Sequence, residues 1–133
     1  MMPRHSFAAR SAAETYRAVD LAGRTSGASS HALVDLLYEE GARALRGAAF
    51  AAANNQPRVR SERVTRATAI LFALEAGLDF EKGGEVSRAL ANFYAGLRAR
   101  VIQASLGTDP APFRAAADDL AEIAGAWASL KAG

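Results

Sequence analysis

The 133-residue chain has no cysteine, four prolines, two histidines and one tryptophan, and aromatic residues make up only 8% of it. Without cysteine there is no disulfide, no thiolate metal site and no cysteine nucleophile, and the reducing cytoplasm is the expected setting. The prolines stand at positions 3, 57, 110 and 112, so none interrupts the long stretches between them. No segment stays apolar for the roughly 20 residues that a membrane span needs. The start "MMPRHSFAAR" is basic but lacks the apolar core of a secretory signal, so no membrane insertion is expected. The scarcity of histidine bears on catalysis. His5 lies in the first ten residues and His31 at a helix start, neither forms a metal pattern with the other, and the Glu-x-x-His motif of bundle metal sites is missing. The neighbours Glu39–Glu40 and Asp118–Asp119 point about 100° apart on a helix, so neither is a proton-sharing pair. The residues therefore predict no enzyme, no metal and no cofactor.

What the chain has instead is alanine and helical periodicity. Half its residues are hydrophobic, many of them alanine, the strongest helix former. Residues 1–10 read as disordered and 11–133 as a single helical-bundle domain. A thin stripe through Ala12, Tyr16 and Val19 predicts a short, loosely docked helix from Ser11 to about Arg24, ended by "TSGASS". Four longer helices follow. The first, Ser30 to about Ala53 after a Ser29 cap, puts Leu33, Leu37, Tyr38, Gly41, Leu45 and Ala48 on one face. The second, Arg58 to about Asp79, aligns Val64, Ala67, Ile70, Leu71, Leu74 and Leu78. The third, Glu85 to about Leu106, aligns Val86, Leu90, Phe93, Tyr94, Leu97 and Val101, and the fourth, about Ala111 to Leu130, aligns Phe113, Ala116, Leu120, Ile123 and Trp127. The pair Gly83–Gly84 in "FEKGGE" predicts a sharp reversal between the second and third. The fold class is all-α, an antiparallel up-down four-helix bundle with the short N-terminal helix added.

The apolar residues that miss these stripes carry the functional signal. Leu36 and Phe50 fall on the outer side of the first helix, Phe72 outside the stripe of the second, and Ile102 outside that of the third, beside Ala91, Ala95 and Ala99. Together they suggest apolar surface of the kind that takes amphipathic helices into grooves. The net charge is +2 with a pI near 9.4. Arg58, Arg60, Arg63 and Arg66 crowd one helix start, where the macrodipole makes cations slightly unfavourable. They support an alternative reading, a basic helical adaptor for nucleic acid or a regulatory protein. Glu62 interrupts the run and no aromatic residue interleaves it, which disfavours nucleic acid.

Three linked stretches resemble the flagellar export chaperones that bind flagellin, the FliS family. They are "GASSHALVDLLYEEGARAL", "LDFEKGGEVSRALANFY" and the terminal "GAWASL" with Trp127. Departures are Ser30 where proline commonly begins the helix, and "YAGL" from Tyr94 where many members have Tyr-Asp-Tyr-Met. The resemblance implies a cytoplasmic chaperone that holds the disordered C-terminal segment of flagellin, prevents premature polymerisation and assists type III export. Export-gate components or another flagellar regulator are further partners to consider, and homodimerisation stays open. Guided by the family, the client surface would involve Leu36, Phe50, Phe72, Tyr94 and Ile102, with Tyr16 and Val19 as an N-terminal lid. By packing alone, Tyr38, Tyr94 and Trp127 read as core or core rim.

Overall fold

A computed structural model describes residues 30–132, with side chains described for residues 31–129. The expectations for the first 29 residues (the disordered start, the short helix, the Ser29 cap and the lid residues Tyr16 and Val19) lie outside the described residues. The described chain is four helices: α1 (Ser30–Ala53), α2 (Pro57–Ala76), α3 (Phe80–Ala104) and α4 (Ala111–Ala132). Each packs on two others in the cyclic order α1–α2–α3–α4, and the diagonal pairs α1/α3 and α2/α4 make no close backbone approach. This is the antiparallel up-down bundle that short connections between amphipathic helices favour.

The connections follow from local chemistry. Asn55 adopts a left-handed φ of 57°, and Gln56 N–H reaches Ala51 O at 2.8 Å while Asn55 N–H reaches Ala52 O at 3.4 Å. These are the two bonds of a Schellman motif, which satisfies the last carbonyls of α1. Pro57 then opens α2, where its missing N–H costs nothing. At the other end of the bundle Asp79 caps α3, its carboxylate accepting from Lys82 N–H at 3.0 Å.

The reversal between α2 and α3 includes the glycine pair but begins earlier than it. α2 stops at Ala76, the chain turns through Gly77–Leu78–Asp79, and α3 already starts at Phe80. Gly83 and Gly84 lie inside α3, which is kinked at Gly84 (φ 51°, ψ −121°). Gly84 is needed because an L side chain is strained there. Gly83 is needed for another reason: a Cβ on it would lie 1.9 Å from Ser87 Oγ, a hydroxyl that donates to Asp79 O at 2.9 Å. The pair therefore separates the single turn at Phe80–Gly83 from the long body of α3.

The core is built from the predicted stripes. Leu37, Leu45, Leu71, Leu97, Phe113 and Leu120 are buried, with Ala44, Ala48, Ala67 and Ala116 between them. Each large side chain contributes about 1.5–3 kcal/mol by leaving water. Ala49, Ala51, Ala73 and Ala117 are buried as well, beyond the predicted stripes. At Gly41 a Cβ would lie 2.9 Å from Leu120 Cδ2 and 3.2 Å from Ile70 Cγ2, so α1 comes close to both its neighbours. Val86, expected in the core, is 67% exposed. It stands just beyond the Gly84 kink, at the rim of an end cleft that no described residue fills.

Candidate binding surface

The described outlying residues separate into three environments. Tyr94 is 2% exposed, so it belongs to the core and not to the surface proposed for it. Its hydroxyl meets that of Tyr38 at 2.6 Å across the α1/α3 diagonal. Burial raises both phenols above the ordinary tyrosine value; the bond between them raises Tyr94 further and partly offsets the rise at Tyr38.

Phe72 and Ile102 belong to the α2/α3 flank. Arg98 on α3 places its guanidinium 3.8 Å from the centre of the Phe72 ring and pairs with Glu75 on α2. Ile102, four residues after Arg98, lies on the same flank of α3 about 6 Å further along its axis. It is 52% exposed, while Phe72 is half-buried because Arg98 covers one face of its ring. Leu106, in the α3–α4 connection, is also exposed. Arg98 was not anticipated in this role. Its signal in the sequence was a charged residue at the edge of an apolar stripe, which is common on helices and rarely means burial.

Leu36 and Phe50 occupy the outer side of α1, at 42% and 66% exposure. Fourteen residues apart, they share one helical flank about 20 Å in length. This strip lies on α1 alone, whereas the Phe72–Ile102 strip is shared by α2 and α3. Phe50 borders a hollow of about 220 Å³ with Arg46, Ala49 and Arg114.

A deeper cleft of about 300 Å³ opens where Ser30 begins, at the α2–α3 connection. Val34, Tyr38, Leu74, Val86, Leu90 and Trp127 contribute its mainly apolar walls. Trp127 stacks on His31, ring centres 4.0 Å apart, and its indole N–H donates to His31 O at 3.4 Å. His31 Nε2 is buried and finds no partner among the described residues. A wider hollow of about 510 Å³ lies between α3 and α4, bordered by Arg100, Gln103, Ala104 and Pro112. Arg100 there pairs with Asp119 at 2.8 Å.

The arginine run is partly structural. Arg60 donates to Gly107 O at 2.9 Å and Arg66 pairs with Glu40 at 3.2 Å, tying α2 to its neighbours. Of the acidic neighbours, Asp118 pairs with Arg46 and Asp119 with Arg100, as surface charges do. No described helix is long and apolar enough to cross a membrane.

An alanine-rich four-helix bundle whose apolar strips are not covered by any described residue presents the kind of surface that takes polypeptide partners. The profile of the family described as flagellar protein FliS matches residues 12–133, and the chain belongs to that family of flagellar secretion chaperones, which are not enzymes. It is 30% identical to the flagellar secretion chaperone FliS of Salmonella typhimurium over 118 residues, 88% of this chain and 87% of the relative. It is 29% identical to the flagellar secretion chaperone FliS of Vibrio cholerae over 119 residues, 89% of this chain and 87% of the relative. The flagellar secretion chaperone FliSB of Pseudomonas aeruginosa is 28% identical over 119 residues, 90% of this chain and 94% of the relative.

Proposed function

We propose that this chain is a cytoplasmic flagellin chaperone. It holds the disordered C-terminal segment of flagellin on its surface, prevents premature polymerisation and delivers the client to the flagellar type III export apparatus. The observation that carries this reading is the placement of Leu36 and Phe50 on one side of the bundle and Phe72 and Ile102 on another. Separated apolar strips suit a long segment that folds as it wraps around a rigid body, better than they suit one globular partner. Such a segment binds through many modest contacts and can be removed piece by piece at the export gate. The adaptor reading is less well supported, since Arg60 and Arg66 are engaged within the bundle.

The N-terminal segment acts as a lid over the cleft beside Trp127. The cleft opens at the end where that segment enters, is largely apolar, and has the unpartnered His31 Nε2 close by. Tyr16 and Val19 are the side chains we assign to it.

Calorimetric titration with the C-terminal segment of flagellin from the same organism tests the main reading. A roughly equimolar complex with a negative heat-capacity change is expected, because apolar surface is buried. Phe72→Glu should abolish binding with helical content intact; retained binding would remove Phe72 from the site. Absence of any heat with the native, folded chain would refute the chaperone–client assignment.

A further inference from the structure

The bundle is electrically polarised along its axis. The half nearest the α1–α2 and α3–α4 connections, residues 42–66 and 93–121, holds nine arginines and four acidic residues. The opposite half, residues 30–41, 67–92 and 122–132, holds eight acidic residues and three basic ones. The two halves nearly cancel, which is why neither net charge nor composition reveals the asymmetry.

The basic half has an apolar centre. Phe50 stands exposed at the end of α1, with Arg46 and Arg114 around the adjoining hollow. Arg63 comes in from α2, its side chain so close to Gly47 that a Cβ there would lie 3.1 Å from Arg63 Cδ. Gly47 is about one turn before Phe50 on the same helix, so Arg63 reaches α1 within a turn of Phe50, while Arg114 borders the Phe50 hollow from α4. Arg46 is paired with Asp118, but Arg63 and Arg114 form no ion pair among the described residues. An exposed aromatic ring with cationic side chains within a helical turn of it fits a peptide that offers an apolar side chain flanked by carboxylates.

We propose that the Phe50 end of the bundle is the docking point for an acidic stretch of the client polypeptide, and that Arg63 and Arg114 draw that stretch in during encounter. The inference rests on the chaperone reading and names the client chemistry that this part of the surface selects. A polypeptide fits better than a nucleic acid strand. Glu62 and Asp118 stand among these arginines and would repel successive phosphates, whereas a peptide carries its charges singly and can avoid them.

Charges at the rim of an interface act mainly on the association rate and its salt dependence, while buried apolar contacts act on dissociation. The experiment is stopped-flow association of the full chain with the flagellin C-terminal segment at low and high salt. It compares the native chain, Arg114→Glu, the pair Arg63→Gln/Arg114→Gln, and Phe72→Glu. Arg114 is exposed, and Arg114→Glu should leave helical content unchanged. The expected result is a roughly tenfold slower association for Arg114→Glu at low salt, a smaller loss for the neutralised pair, and convergence with the native chain at high salt. Dissociation should change little in these variants, whereas Phe72→Glu should form no measurable complex at either salt concentration. Binding by the native chain with association rates unaltered in both arginine variants overturns the proposal and leaves the chaperone reading standing. Faster association of Arg114→Glu would also overturn it, as would displacement of the client by a single-stranded oligonucleotide with steep salt dependence. Failure of the native chain to bind the client defeats the chaperone reading, and this proposal with it.

Discussion

At the scale of single residues, the Tyr38–Tyr94 pair is the most consequential polar contact of the interior. The hydroxyls, 2.6 Å apart, satisfy each other between two buried side chains. Removing one leaves the other buried without its partner, at a cost of about 1–3 kcal/mol, whereas removing both leaves two apolar rings of nearly the same shape. Tyr38→Phe should therefore lower the urea midpoint more than Tyr38→Phe/Tyr94→Phe does, a comparison that circular dichroism can make directly. The pair also predicts a sign for alkaline pH. Both phenols are raised in the folded state, so above the ordinary value of about 10 the unfolded chain loses protons that the folded chain keeps. Their contribution is whole below that pH and is lost as pH rises beyond it. The double phenylalanine variant should show a shallower alkaline decline, and equal slopes would argue against the assignment. Periodicity placed both tyrosines correctly near the core, but it could not show that they meet. That contact crosses a diagonal of the bundle and depends on the distance between helices 56 residues apart.

At the scale of elements, α3 departs most from its expected form, and the reason is local. A sequence rule reads two adjacent glycines as a break. Here the break begins earlier, at Gly77–Asp79, because Asp79 can cap a helix and Glu81 suits its first turn. The glycines serve the kink and the close approach of Ser87. Gly96, by contrast, lies in mid-helix with nothing within 4 Å of a Cβ. Gly96→Ala should thus stabilise the protein by about 0.5–1 kcal/mol through the unfolded chain and helix propensity. Gly84→Ala should destabilise it by about 1–3 kcal/mol, since its backbone conformation is strained for an L residue. Denaturant melts of the two alanine variants would separate these effects, and a stabilising Gly84→Ala would contradict the kink. The same bend explains Val86: it follows the apolar stripe in order, yet the change of direction leaves it on a cleft rim.

At the scale of the whole molecule, the position of surface features around and along the bundle decides how a client can lie on it. One apolar strip lies on α1 and the other on the α2/α3 flank, the basic end is opposite the acidic one, and the Trp127 cleft lies at the acidic end, beside the start of α1. A lid competes with the client if the client, in wrapping around the bundle, also enters that cleft; on that reading deletion of residues 1–25 is expected to strengthen client affinity. Unchanged or weaker affinity in the same calorimetric titration would remove the lid from the mechanism.

Much of this protein was determined by its sequence alone. Helix propensity and the spacing of Leu33, Leu37, Leu71, Leu97, Phe113 and Leu120 act over a few residues, and they suffice for four helices, their buried faces and an up-down order. The order of three linked stretches was enough to point to the family. Four of the five client candidates, Leu36, Phe50, Phe72 and Ile102, were visible as apolar residues off those faces. Tertiary structure decided the rest: that Tyr94 turns inward, that Arg98 covers Phe72 and pairs with Glu75, and that the candidates form two strips on different sides. It also gathered nine arginines into one half of the bundle. These features depend on which helices are neighbours and on their register, set by the packing of distant side chains such as Gly41 against Leu120 and Ile70. No window of local sequence contains that information, because the residues that fix it come together only when the chain has folded.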